Sequence, residues 1–499
     1  MTLFQRFFYF LLLFFIAILS VSGTIALRNM VHLVLLGMFS WALIYADKRC
    51  VAKPADLWRE VPWALRWWIV FLLLFPLWAI EGDMAWRQLL FHWSESILTW
   101  VLAFAAIAIL GKKNLSLWAL TWASAVPVFL HLILLPLAMV GAFQNSFDPE
   151  DGLSVLWNTL LKLLLHPSSL NLQWTSVLGF KGIEPMHGNI GYPASQTIAL
   201  ALGFLMQARH QHRNSEIIAA WIIIALCFTS GLLATSRGTV IFSLLILISA
   251  AFIAWFTRSN RRNEHAGGMH ASWQPRLVVL LAGLLLLALF LSVVRHDMRW
   301  QTMIDKLELG LSVDRPLDTI CNGLQDKDRE RIRLMSMGRS ETYENNLIEG
   351  LESQDGGRAL LQRVSFELAL NNPRGLDGSR EAYEKLIFKK CGHPPQLKFS
   401  HAHNAWLNLA LSVGWLGVGL FAWVFVSFAV RGWHAVRSGG PGVPQGFALL
   451  LLAVFWFLRG IGDAVYQEHY LQMQAIMLLS LGLLVSKESN GKILKLERE

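Results

Sequence analysis

The feature that most constrains this chain is its succession of long apolar windows. At roughly 20 apolar residues per bilayer crossing, runs near 3–23, 28–46, 63–80, 93–111, 115–141, 192–208, 215–234, 239–257, 277–294, 404–430, 445–461 and 468–486 read as about twelve membrane helices. Only 15% of the 499 residues are charged, where a soluble protein carries about 25%. A soluble enzyme, a disordered chain and a secreted disulfide scaffold are thereby excluded. The expected fold class is an all-α polytopic membrane protein. No small-residue cleavage site closes the first apolar run, Phe7–Ile18, so it reads as a span rather than a signal peptide. The net charge of +9 reports topology first in such a chain, not nucleic-acid binding.

Cations assign the sides. Lys48, Arg49, Lys53 and Arg59; Lys112 and Lys113; Arg209 and Arg213; Arg258, Arg261, Arg262 and Arg276; and Arg431 and Arg437 all fall on one side if the amino terminus is cytoplasmic. The tail with Lys487, Lys492 and Lys495 joins them. The expected organisation is nine spans within 1–294 with an outer loop near 142–191, a large periplasmic loop at 295–403, three spans in 404–486, and a cytoplasmic tail at 487–499. In the large loop, Ser340–Leu351 and Gly357–Leu370 show helical apolar spacing, and Asn371-Asn372-Pro373 stops the second helix. Cys321 and Cys391 share this loop; in an oxidising compartment they either bridge or remain two unrelated buried thiols. Cys50 falls on the cytoplasmic side and Cys227 within a span.

Transporters need ionisable groups near the bilayer midplane. These spans are nearly charge-free at their centres; His131 and Arg459 read as near-end or satisfied residues. Polar signals gather instead at the outer helix ends, in three clusters. Thr235-Ser236-Arg237-Gly238 is a tight junction that puts Arg237 at the interface, either as a phosphate-binding fork or as a snorkelling side chain. Gly357-Arg358 opens a helix that also carries Arg363; five residues apart, the two arginines do not share a face, and solvated surface arginines are the simpler reading. His401-Ala402-His403-Asn404 precedes a span, so a histidine there can serve as a general base or as a polar helix entry. On a helix the two histidines would diverge, and no carboxylate stands at ligand spacing, which argues against zinc.

At these clusters the chain resembles the O-antigen ligase and polymerase superfamily of bacterial membrane glycan transferases. Ser236-Arg237-Gly238 matches the family's junction between central spans. Gly357-Arg358 through Asn372-Pro373 and the Gly375–Gly378 turn resemble its Gly-Arg helix and stop. His403-Asn404-Ala405-Trp406-Leu407 and Gly414-Trp415-Leu416-Gly417 match its His-Asn segment and glycine block. Upstream, Gly188-Asn189-Ile190-Gly191-Tyr192-Pro193 is similar to the family's entry to a span, although Ala194 replaces a common asparagine and Gln362 a common aromatic residue.

The resemblance, over about 188–420, implies a GT-C-like architecture in the bacterial inner membrane with its active site facing the periplasm. It implies a glycan donor on a polyprenyl diphosphate and an acceptor hydroxyl on lipid A–core or another outer-leaflet molecule, and neither a cofactor nor a metal. Arg237 and Arg358 would bind the diphosphate and His403 would accept the attacking hydroxyl's proton. Asn404 would orient His403, while His401, Arg363 and Asn189 would line the substrate site. Ligation of O-antigen is the leading expectation. Polymerisation of lipid-linked repeats and protein O-glycosylation are alternatives within the family, and a polysaccharide or lipid transporter is the alternative class.

Overall fold

The computed structural model describes residues 1–45, 54–139, 152–166, 189–261, 302–353, 355–466 and 468–485, with isolated positions between them. Every regular element among them is helical. In chain order they are α1 (Leu3–Ile18), α2 (Ile25–Tyr45), α3 (Pro54–Glu60), α4 (Trp63–Leu74), α5 (Gly82–Gln88), α6 (Ser94–Leu110), α7 (Leu117–Met139), α8 (Gly152–Leu165), α9 (Gly191–His210), α10 (Asn214–Leu233) and α11 (Arg237–Arg261). There follow α12 (Met303–Ser312), α13 (Pro316–Asn322), α14 (Asp326–Ser336), α15 (Glu341–Ser353), α16 (Asp355–Asn371), α17 (Ala382–Cys391), α18 (Ala405–Ser438), α19 (Val443–Gly462) and α20 (Glu468–Val485).

Among the described residues seven helices are long and apolar enough to cross a bilayer, or eight if the pair α3–α4, bent by 101°, counts as one. The terminal apolar helices, Leu3–Ile18 and His469–Val485, are shorter. The expected span at 277–294 lies outside the described residues, as do Cys50 and most of the 142–191 loop. Three sequence readings change in detail. The segment read as a span at 93–111 starts earlier, because a π-helical turn at Leu89–Trp93 joins α5 to α6. The segment read as 404–430 runs to Ser438 and breaks at Gly414, whose φ of 81° and ψ of 173° are not helical. The third is α9, which is less apolar than a free-standing span and is instead the post around which the bundle closes.

This last role follows from its side chains. α9 is buried along nearly all its length and packs against α7, α10, α11 and α19. Its buried Ser195, Gln196 and Thr197 are paired across those contacts, as polar groups in an apolar surround tend to be. Thr197 Oγ1 and Gln196 Nε2 donate to Ser124 Oγ at 3.0 and 3.2 Å. Trp456 Nε1 donates to Gln196 Oε1 at 3.2 Å, and Ser195 meets Ser243 at 3.3 Å.

Helices α12 to α17 form a separate cap with its own apolar core, built on Leu309, Ile320, Leu347, Leu360, Leu361 and Tyr383. The expected helices at 340–351 and 357–370 are present as α15 and α16. Cys321 and Cys391 are bonded to each other, tying α13 to α17 across a separation of 70 residues; Cys227 is a buried free thiol. The cap is joined to the bundle at the break in α18. A helix interrupted at Gly414 leaves the carbonyls of Leu411 and Ser412 without helical partners, and the cap supplies them. Leu376 N–H donates to Leu411 O at 2.8 Å and Gly378 N–H to Ser412 O at 3.0 Å. In return Trp415 N–H donates to Pro373 O at 3.1 Å, and Trp93 Nε1 to Gly378 O at 2.9 Å. Gly375 and Gly414 both have positive φ and pass with backbone against backbone, so neither position has room for a Cβ.

Candidate functional site

The segment Ser400–Asn404 is a turn, not the first turn of a helix. Asn404 caps α18, its Oδ1 accepting Leu407 N–H at 3.1 Å, as an N-cap asparagine does. Asn408 Oδ1 reaches back to Ala402 N–H at 2.9 Å. Between these two anchors His403 is held at φ 48°, a left-handed conformation uncommon for residues other than glycine and found where surrounding structure enforces it. The turn corrects the expectation that the histidines diverge: their rings lie 4.2 Å apart. Asn404 is also corrected, because its side chain holds the helix end and not the imidazole. His403 Nδ1 is buried without a hydrogen-bond partner among the described residues.

A carboxylate does accompany the histidines, contrary to the sequence reading. It is Asp463, brought from the end of α19. Its Oδ2 accepts Tyr192 O–H at 2.6 Å and Arg459 Nη2–H at 3.1 Å, and its Oδ1 accepts Ala464 N–H at 2.9 Å. Its main-chain carbonyl takes Ala405 N–H at 3.0 Å, locking α19 to the start of α18. Ligand atoms of His401, His403 and Asp463 all lie within 4.8 Å of one another. That triangle has the size of a cation site, but its charge environment opposes one. Asp463 is already neutralised by Arg459, and Arg358 acts on both Asp463 and His403.

The same charges set the protonation states. Burial raises the affinity of the Asp463 carboxyl for a proton, but Arg459, the Tyr192 hydroxyl and Arg358 outweigh it and hold the group below its ordinary value. His403 is pushed down to about 3, first by burial and then by His401 and Arg358, with Asp463 opposing. His401 is lowered as well, chiefly by burial. Both imidazoles are therefore neutral at physiological pH, with a lone pair available.

The junction carrying Arg237 meets this cluster through Arg459. Thr235 has φ 51°, a strained value for a β-branched residue, and the next turn is tied by Thr239 Oγ1 donating to Ser236 Oγ at 2.6 Å. Gly238 lies directly against the Arg459 guanidinium, so a side chain there would collide with it. That guanidinium is sandwiched between the Tyr192 and Phe242 rings, 4.7 and 4.9 Å from their centroids. Arg237 itself is half-buried. Asn189 stands just upstream of Tyr192, its carbonyl accepting Tyr192 N–H at 3.3 Å.

The structure thus gathers Arg358, His401 and His403 and brings the Arg237 junction alongside them through Arg459. Arg363 is not gathered: its Nη1 donates to the carbonyls of Leu311 and Val313 at 2.7 and 2.8 Å, closing the end of α12. The sequence reading missed Asp463, Arg459 and Tyr192 as site residues. One signal was present, since Asp463 is the only acidic residue between Asn404 and Gln467 and stands four residues after Arg459.

An all-helical, multi-pass membrane protein with an arginine-rich histidine cluster at the ends of its helices is the class defined by this fold and site. Residues 222–422 match the family model described as O-antigen ligase. The matched stretch holds Arg237, Arg358, His401, His403 and Asn404, but not Asp463. No curated protein matches the chain.

Proposed function

We propose that the protein transfers a glycan from a polyprenyl diphosphate to an acceptor hydroxyl, foremost that of lipid A–core, at the periplasmic face of the bacterial inner membrane with both termini cytoplasmic. The observation that carries this reading is the meeting of Arg358, His401, His403 and Asp463 beside the Arg237 junction. The Cys321–Cys391 bridge in the cap supports the sidedness, since such bonds persist in oxidising compartments.

In this scheme the acceptor oxygen attacks the anomeric carbon, the bond from that carbon to the diphosphate oxygen breaks, and the acceptor proton passes to the His403 imidazole. The polyprenyl diphosphate leaves with the electron pair. Arg237 and Arg358 stabilise the charge it gains, each by about 3 kcal/mol in a water-poor cleft. A histidine with so low a proton affinity is a weak base by itself. Bound diphosphate places negative charge beside it and raises that affinity, so His403 becomes a competent base only when the donor is in place. Asp463, fixed by Arg459 and Tyr192, then faces the imidazolium that forms. No metal enters these steps.

The test is reconstitution of the full chain with a defined polyprenyl-diphosphate-linked glycan and lipid A–core. His403→Ala abolishes transfer while retaining donor binding. Arg358→Lys also fails, because a point charge lacks the two-pronged geometry of guanidinium. Transfer persists in EDTA. A wild-type protein inert on every such donor, or a fully active His403→Ala variant, overturns the reading. Cells lacking the protein separate ligase from polymerase: long polymer stays on the lipid carrier in the first case, and single repeats reach the core in the second.

A further inference from the structure

The cationic groups around His401 extend beyond Arg358. Arg380 lies two residues beyond Gly378, on the loop that joins cap to bundle, and acts electrostatically on both His401 and His92. His92 belongs to the π-helical turn Leu89–Trp93, with its ring 5.2 Å from that of Trp93. Such turns recur at functional sites. Trp93 in turn donates to Gly378 O at 2.9 Å, which fixes the turn and the loop against each other. The loop is rigid for a second reason. Asp377 is fully buried, accepts Ser379 N–H and Oγ–H at 2.9 and 2.8 Å, and pairs with Lys385. Arg380 therefore projects an exposed side chain from a fixed backbone.

Its position relative to the catalytic cluster is informative. Arg380 acts on His92 and His401, whereas Arg358 acts on His401, His403 and Asp463, whose partner Arg459 lies against Gly238 of the Arg237 junction. Displacement at a tetrahedral carbon requires the nucleophile to approach opposite the leaving group. If the diphosphate occupies the Arg237 and Arg358 end, the acceptor enters from the Arg380 and His92 end.

We propose that Arg380 and His92 form a second oxyanion subsite, which binds a phosphate group carried by the acceptor. The inference rests on the transferase reading above and goes beyond it by assigning acceptor recognition to residues outside the catalytic cluster. An arginine fork suits a phosphate better than a lysine would, and a neighbouring imidazole adds one further donor.

The experiment uses the full-length protein in nanodiscs and two acceptors that differ only by phosphatase treatment. For the wild type, kcat/KM favours the phosphorylated acceptor by about tenfold, the value of one charged hydrogen bond. Arg380→Ala brings that ratio close to one through the acceptor KM, with the donor KM unchanged. His92→Ala reduces the ratio by a smaller factor, and Arg380→Lys retains part of it. An unchanged ratio in Arg380→Ala overturns the proposal, as does a loss confined to the donor KM, which would assign Arg380 to the diphosphate instead. Should the wild type transfer from no polyprenyl-diphosphate donor, the functional reading fails separately. Calorimetric titration with inorganic phosphate then tests the subsite alone: weaker binding by Arg380→Ala supports it, and equal binding removes it.

Discussion

The bundle and the cap reach stability by different physics. The bundle leaves large apolar side chains such as Leu33, Trp67, Phe91, Ile222 and Trp255 exposed, because its solvent is expected to be lipid. Burial of apolar surface cannot then drive helix association, so close approach and buried hydrogen bonds must. Gly203 shows the first, packed against Ala448 and the Pro444 carbonyl, and α9 shows the second. The cap has a charged surface over an apolar core and a disulfide, the means of a small water-soluble domain. Neither part contains the site alone. Arg358 comes from the cap, Asp463 and Arg459 from the bundle, and the two histidines from the turn between them. Activity should therefore respond to damage at the joint more sharply than the stability of either part does.

The most severe break in this comparison is predicted at that joint. Gly414→Val puts a branched side chain at positive φ, where its Cβ would lie 2.6 Å from the Pro373 carbonyl. Transfer should fall by at least about 100-fold, the cost of roughly 1 Å of misplacement. Protease resistance of the isolated bundle fragment and of the cap should persist. Simultaneous loss of both would mean that the two are one cooperative unit.

Removing the disulfide sharpens the contrast. A Cys321→Ser/Cys391→Ser double variant should destabilise the cap by about 4 kcal/mol, as expected for a closed loop of this length. Thermal unfolding followed by limited proteolysis should show the cap transition falling and the bundle transition unmoved. Arg363→Ala comes next. It removes the donors that close α12 and should lower cap stability by about 2 kcal/mol, while transfer measured well below the melting temperature stays near wild type. A loss of donor or acceptor affinity in that variant would return Arg363 to the substrate site.

The smallest effect is a pH dependence. His403 binds protons less readily in the fold, at about 3 against 6.5 when unfolded. The unfolded chain therefore takes up more protons below pH 6.5, and stability at the joint declines as pH falls from there toward 3. His403→Gln should flatten that decline in melting curves between pH 7.5 and 5. An equally steep decline in the variant would place its origin elsewhere.

The parts of the site that were legible in the sequence are those carried by local spacing. Ser236-Arg237-Gly238, Gly357-Arg358 and His403-Asn404 each sit where an apolar run or a helical period begins, and the cap helices α15 and α16 follow their own periodicity. The misreadings share one cause. The two histidines were judged by helical geometry, but the Asn404 cap and the Asn408 bond hold them in a turn. Arg363 was assigned to the substrate site by the family resemblance, yet the carbonyls at the end of α12, about fifty residues upstream, bind it. Asp463 has only the local signal of Arg459 four residues before it, since its other partners, Tyr192 and the histidines, arrive from two distant segments.

The amino-acid sequence by itself determined that the described elements are helical, that several of them are apolar enough to cross a bilayer, and which cations stand at helix ends, because hydropathy and periodicity act over a few turns. Tertiary structure alone decided that α18 breaks at Gly414 to receive the cap and that Asp463 is the carboxylate beside His403. Those choices depend on carbonyls, guanidinium groups and rings that meet only once distant helices pack, and no short stretch of sequence contains both halves of any of them.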